Sequence, residues 1–254
     1  MDMGLSGKVV VITGATAGLG KACIPVFLAE GCKVAVCGRD EKKIAAVRAE
    51  YPEILALRAD ASKRQDLEQL ARETASAFGG IDIWVNNAGI IGAGKALLDL
   101  SEEQWDATMD TNFKGVFIAT QVAVPFLVQR GGGVIVNASS IAATMPAAGS
   151  GAYGASKAGV SVLTKIFAAE LAPKNIRVVE YVPAVFDTDM NAKRLADAPQ
   201  EVLAPIALRR AGRPEELAPA IVFLASDKAT YITGTGLSVT GGKFCVQNPA
   251  LPWN

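Results

Sequence analysis

Residues 8–20 read KVVVITGATAGLG. Val9 to Ile12 form a short apolar run, and Gly14, Gly18 and Gly20 follow it before an amphipathic stretch begins. A run that is apolar at every position suits a strand buried on both faces, where a half-exposed strand would alternate. Glycines between a strand and a helix let the backbone approach a pyrophosphate, which then rests on the helix N-terminus. The spacing is G-x-x-x-G-x-G, and alone it equally describes a tight turn with no ligand.

Six more apolar runs follow: KVAVCG from Lys33, ILALRAD from Ile54, IDIWVNNAG from Ile81, GVIVNASS from Gly133, IRVVEYV from Ile176 and GLSVTGG from Gly236. Helical stretches such as DLEQLARETASAF and VSVLTKIFAAELA separate them. This alternation predicts an α/β fold, a doubly wound parallel seven-stranded sheet with helices on both faces. Ser62 with Gln65, and Ser101 with Gln104, fit capping boxes, the second with Leu100 and Trp105 placed for a hydrophobic staple. No linker composition breaks the chain, so residues 1–254 read as one domain. The least regular stretch, residues 187–214, suits a flap over a site.

Half of the 254 residues are hydrophobic, and 25 Lys and Arg balance 25 Asp and Glu. A formal charge of zero argues against nucleic-acid or anionic-membrane surfaces, which need clustered positive charge. Cys23, Cys32, Cys37 and Cys245 lack metal-ligand spacing, and with no histidine a mixed metal site is excluded. Such thiols read as small apolar residues of a reducing compartment. The start, MDMGLSGKVVVITG, carries no signal peptide or membrane span, so the expected location is cytoplasmic.

Gly151–Lys165, GAYGASKAGVSVLTK, sets Tyr153 and Lys157 four residues apart, on one face if helical. Without histidine, proton transfer near neutral pH needs another group, and a free tyrosine ionises near pH 10. Lowering that by about three units takes about 4 kcal/mol. A cation at ~4 Å in an effective dielectric of about 20 supplies about that much. Tyr-x-x-x-Lys by itself is also an ordinary surface pair. Ser140 ends the run GVIVNASS, with Ser139 as the rival hydroxyl.

The glycine loop, NNAG at Asn86–Gly89 and the Tyr153/Lys157 pair together resemble the short-chain dehydrogenase/reductase family, whose fold is a Rossmann-type sheet. The resemblance runs from Lys8 to about Gly242. It implies a nicotinamide cofactor held by Gly14, Thr16, Gly18, Leu19, Gly20, Ala61, Asn87, Ala88, Gly89, Pro183, Phe186 and Thr188, with Tyr153 and Lys157 also touching it. Asp60 resembles the family's adenine ligand. Ser140 would steady the substrate oxygen, Tyr153 would exchange the proton, Lys157 would lower its pKa, and Asn112 would hold a water linking Lys157 to solvent.

The second apolar run ends CGRD, Cys37–Asp40. Gly38 stands where NAD-preferring relatives usually carry an acid, and Arg39 offers a guanidinium fork to a 2′-phosphate, so NADP is favoured. Arg39 as a solvated loop residue, Asp40 as a helix cap and Asp40 as a ribose ligand remain open readings. The chain departs from the family at Val179, Ala184, Phe186 and Thr240, while the tail CVQNPALPWN is a candidate cover for a neighbouring subunit.

Ile90, Ile91, 141–148, Phe186 and Met190 are the expected pocket walls, with no arginine evident for a carboxylate. They suit a small uncharged carbonyl compound or secondary alcohol. VFIATQVAVPFLV and VSVLTKIFAAEL carry more apolar surface than one sheet face needs, and in the family such helices pair between subunits, which implies a homotetramer, or failing that a dimer. The alternative activity is 3-oxoacyl carrier-protein reduction, set second because only Arg130 is basic near 129–133. A non-catalytic dinucleotide sensor stands last, since both Tyr153 and Lys157 are present.

Overall fold

All seven apolar runs become strands in the computed structural model, which describes residues 2–243, 245, 246, 249 and 253. They are β1 (Val9–Ile12), β2 (Lys33–Gly38), β3 (Leu55–Arg58), β4 (Ile83–Asn86), β5 (Gly133–Ala138), β6 (Ile176–Pro183) and β7 (Gly236–Val239). Among the described residues they form one parallel seven-stranded sheet in the order β3-β2-β1-β4-β5-β6-β7. The order reverses between β1 and β4, and a doubly wound sheet opens a crevice at that point, beyond the strands' carboxyl ends.

The helices are α1 (Gly18–Ala29), α2 (Glu41–Glu50), α3 (Arg64–Phe78), α4 (Glu102–Met109), α5 (Gly115–Gln129), α6 (Gly151–Leu171), α7 (Asp189–Asp197), α8 (Pro199–Leu203) and α9 (Pro214–Ala225). Successive strand residues feed opposite cores. Val10, Ile12, Ile83 and Val85 pack with Ile24 and Phe27 of α1 and Ile221 of α9. Val11, Trp84 and Ile135 pack with Leu67 and Leu70 of α3 and Val122 of α5. This is why the strands are apolar at every position. Each such side chain contributes about 1.5–3 kcal/mol by burial, and truncating Ile24 or Leu70 to alanine costs about 2–5 kcal/mol.

Local signals were read with mixed success. Ser101 and Gln104 exchange reciprocal capping bonds at 3.3 Å at the start of α4. Leu100 and Trp105 border the same shallow depression beside that cap. The Ser62/Gln65 box does not form. The Ser62 amide and hydroxyl both donate to Asp60 Oδ1, at 2.9 and 2.8 Å, so the hydroxyl is spent and α3 starts at Arg64. Residues 187–214 are also more regular than their composition suggested. They hold α7 and α8, and Val202 and Ile206 form a small core with Val185.

Between α4 and α5, Asp110–Lys114 wind as a π-helical turn, a form that recurs at functional sites. The continuous helix Glu102–Gln129 is long and apolar enough to cross a membrane by length and composition, yet half of that window is buried inside the protein. Cys23, Cys32 and Cys37 are buried, and desolvation pushes each thiol up to about 12, while Cys245 is exposed. The proposed cover by the C-terminal tail rests largely on residues 247, 248, 250–252 and 254, outside the described residues.

Candidate active site

At the β1–β4 switch point the strand ends open into a cleft of about 980 Å³. Gly14, Thr16, Gly18 and Leu19 line it at one side, with Arg39, Asp60, Ala61, Asn87, Ala88 and Gly89. Ser140, Tyr153, Lys157, Pro183, Phe186 and Thr188 line it at the other. Gly20 and Asn112 stand behind the wall, Gly20 inside α1 and Asn112 buried in the π-turn.

The glycine loop is shaped by contact with the NNAG turn. Gly14 has a φ of +64°, and a β-carbon there would lie 2.7 Å from Ala88 Cα. Thr13 clamps the two pieces: its hydroxyl oxygen accepts from the Asn87 and Ala88 amides, both at 3.1 Å. Asn87 Nδ2 donates to the Thr13 and Gly14 carbonyls at 2.9 and 3.0 Å, and Tyr181 donates to Asn87 Oδ1 at 2.8 Å. Above this clamp α1 begins without a side-chain cap and without an acidic residue in its first turn. Its leading amides therefore have no side-chain partner, which is the donor set a pyrophosphate fills. Thr188 stands at the N-terminus of α7, and its side chain makes no capping bond either. The residues present thus fit a dinucleotide.

At the far end, Asp40 Oδ1 accepts from the Lys42 and Lys43 amides at 2.8 and 3.2 Å and caps α2. Gly38 is packed under Thr16, since a β-carbon at 38 would approach Thr16 Oγ1 to 2.6 Å. Burial pushes the Asp60 carboxyl up, but the Ser62 bonds and the Arg39 and Lys63 cations more than offset this and leave it low.

The reactive end is built by α6 and the turn after β5. Lys157 is buried, donates to the Ala138 carbonyl at 2.7 Å, and sits 5.8 Å from the Tyr153 ring centroid. Of the two serines, Ser140 faces the Tyr153 phenol and lowers its pKa, its Oγ also accepting from the Ala142 amide at 3.1 Å, whereas Ser139 bonds to Ser161 at 2.8 Å. A β-carbon at Gly89 would lie 3.3 Å from Asn112 Oδ1 and 3.5 Å from Lys157 Nζ, so these three groups meet. The Asn112 side chain is fully engaged: Oδ1 accepts from the Ile90 amide at 2.8 Å, and Nδ2 donates to the Ile90 carbonyl at 2.8 Å and to Ser156 Oγ at 3.1 Å. It clips the NNAG segment to α6.

Burial pushes the Tyr153 phenol above its ordinary value, and the Ser140 hydroxyl offsets this only in part. Burial likewise pulls the Lys157 ammonium down to about 8, opposed by the Glu180 carboxyl.

Phe186, one of the departures from the family, lines the cleft. Its ring is buried and seats against Gly212, where a β-carbon would lie 2.6 Å from it, so the larger side chain is absorbed by the core. Sequence reading missed Arg194, Asn191 and Lys243, which line the cleft beside Met190. Arg194 corrects the statement that no arginine is evident for the pocket, and Lys243 adds a second cation. They come from α7 and the turn after β7, and only folding brings them to the same wall.

The short chain dehydrogenase family profile matches residues 8–199. The 3-oxoacyl-[acyl-carrier-protein] reductase FabG of Thermotoga maritima is 39% identical over 94% of this chain and 99% of its own. The 3beta-hydroxysteroid dehydrogenase 1 of Eggerthella lenta is 40% identical over 94% of both. The crystal structure of a short-chain type dehydrogenase/reductase from Mycobacterium marinum superposes with a TM-score of 0.91 at 35% identity, covering 96% of this chain and 98% of that one. With the switch-point cleft, the uncapped α1 and the Ser140–Tyr153–Lys157 cluster, these matches make the chain a member of the short-chain dehydrogenase/reductase family, an oxidoreductase that works with a nicotinamide dinucleotide.

Proposed function

We propose that the protein transfers hydride between NADP(H) and a carbonyl compound or secondary alcohol, with Tyr153 as the general acid or base. The meeting of Ser140, Tyr153 and Lys157 at the end of one cleft carries this reading. The nicotinamide supplies the hydride; everything else falls to the chain. The amides of α1 bind the pyrophosphate, and Thr188 and Lys157 orient the nicotinamide half. Ser140 donates to the substrate oxygen and stabilises charge growing there. Tyr153, its pKa lowered by the Lys157 ammonium, gives its proton to that oxygen or takes it in the reverse direction. Asn112 ties the NNAG segment to α6 and holds the water that links Lys157 to solvent. The remaining glycine-loop, NNAG and β6 residues, including Gly20, Ala61 and Pro183, shape the cofactor's bed, and Asp60 takes the adenine.

NADP is favoured over NAD because Gly38 leaves no acid at the ribose and Arg39 lines the cleft beside it. Residues 187–214 act as the flap of a single 254-residue domain. Ile90, Ile91, Met145, Pro146 and Met190 make the substrate end apolar, as an uncharged carbonyl requires. Phe117, Val162 and Ile166 are apolar yet exposed on α5 and α6, which supports assembly through these helices, as a homotetramer in the cytosol.

A second reading, reduction of 3-oxoacyl thioesters, is favoured by the FabG likeness and by Arg194 and Lys243 on the cleft wall. Arg130, the docking candidate read from sequence, is instead tied to Asp82 at 3.0 Å. One experiment separates the readings: follow nicotinamide absorbance with NADPH or NADH against ketones, a hydroxysteroid pair and an acetoacetyl thioester. NADPH-dependent turnover is expected, lowered about 10²–10⁴-fold in Tyr153→Phe with cofactor binding kept. Unchanged turnover in Tyr153→Phe would refute the assignment.

A further inference from the structure

Glu180 is a buried carboxylate on β6 that none of the chemistry above employs. Its Oε1 accepts from Ser161 Oγ at 3.0 Å, while Oε2 is buried and bonded to no described residue. Ser161 lies one turn beyond Lys157 on α6, and its hydroxyl contacts Ser139, the neighbour of Ser140. The pairing of β5 with β6 sets Glu180 opposite Asn137 and Tyr181 opposite Ala138, whose carbonyl holds Lys157. Both buried ionisable groups thus flank the same turn.

Hydrogen counting says more. The Ser161 hydrogen goes to Glu180, so Ser139 must be the donor in the serine pair. The Thr164 hydrogen goes to the Val160 carbonyl, and its oxygen accepts from Asn137. Neither neighbour has a hydrogen left for an ionised Oε2. A protonated Glu180 has one to give, and the Ser139 and Thr164 oxygens lie within its reach.

We propose that Glu180 is a positioning residue of the reaction centre, governing the charge on Lys157 from the sheet beneath α6, where Ser161, one turn beyond Lys157, holds its carboxyl. Burial pushes its carboxyl up, so it keeps its proton beyond the ordinary carboxylate range. Once that proton leaves, the carboxylate favours the ammonium form of Lys157, and the two groups titrate as a coupled pair. The charged groups facing Glu180 are Lys157 and Lys165 of α6; β5 and β7 present Ser139 and Gly236, both neutral. Lys165 is exposed, which leaves Lys157 as the buried partner.

This proposal rests on the role given to Lys157 and is tested without relying on turnover. NMR of isotope-labelled lysine in the cofactor-free protein reads the Lys157 titration midpoint in wild type and Glu180→Gln. The glutamine keeps the shape and can donate to Ser139 and Thr164, but carries no charge. The midpoint is expected to fall by about one pH unit, a tenfold change in the proton-binding constant. An unmoved midpoint overturns the proposal. If Glu180→Gln does not fold, Ser161→Ala decides instead: without that donor Glu180 ionises later, and the same downward shift is expected, its absence being equally fatal. The alkaline limb of kcat/KM should follow the midpoint. A midpoint that moves while the limb stays would uphold Glu180 and overturn the role of Lys157.

Discussion

Replacing Gly38 with aspartate imitates the acid of NAD-preferring relatives, and the structure says it fails alone. A β-carbon at 38 would lie 2.6 Å from Thr16 Oγ1, 2.7 Å from Cγ2 and 3.2 Å from Cβ. Thr16 has a single side-chain rotation with which to yield, and it lines the cleft. Overpacking of this kind costs about 1–3 kcal/mol, a factor of about 5–150 in affinity if it falls on the bound state. Calorimetric titration of NADPH and NADH into wild type, Gly38→Asp, Thr16→Ala and the double variant measures it. Gly38→Asp is expected to weaken both dinucleotides and to lower Tm by roughly 2–4 °C per kcal/mol. Adding Thr16→Ala should recover most of the loss and tilt preference to NADH, with a coupling of at least about 1 kcal/mol. Tight NADH binding by Gly38→Asp alone, or additivity within about 0.5 kcal/mol, would refute the argument.

Arg39→Ala should weaken NADPH by about 1.5–3 kcal/mol and leave NADH nearly unchanged, since a charge-assisted bond to the 2′-phosphate is what it removes. Thr13→Val leaves the Ala88 amide without its acceptor, while the Asn87 amide keeps the Val85 carbonyl, so chemical denaturation should show a loss of about 1–3 kcal/mol. Lys157→Met should abolish turnover and also change the pH dependence of stability. The lysine falls from 10.5 to about 8 on folding, a cost of about 3 kcal/mol below pH 8. Because its folded pKa lies below the unfolded one, that cost is relieved as pH rises from about 8 toward 10.5. Any stability advantage of the methionine variant should therefore shrink across that window, and parallel curves would contradict the burial of Lys157.

Much of this was legible in the chain because it is written in local pattern. Continuous Val/Ile runs report burial on both faces, and all seven became strands. Asp40 and Ser101 capped as their positions suggested, because a cap involves only residues two or three apart. Ser62 failed by the same local chemistry: Asp60, two residues earlier, competed for its hydroxyl. Residues 187–214 looked irregular because their apolar positions answer to Val185, outside the stretch. The π-turn around Asn112 left no pattern to read, since a single widened turn changes no periodicity.

Composition and spacing thus determined the sheet, the place of the phosphate loop and the shared helix face of Tyr153 and Lys157. Those follow from interactions between residues a few positions apart. The tertiary structure decided how those groups ionise and what surrounds them: Lys157 turned to Ala138, Glu180 beneath α6, Arg194 and Lys243 on one wall, Thr16 over Gly38. A pKa depends on the water excluded and the charges brought near, and both come from segments remote in the chain, so no local pattern can encode them.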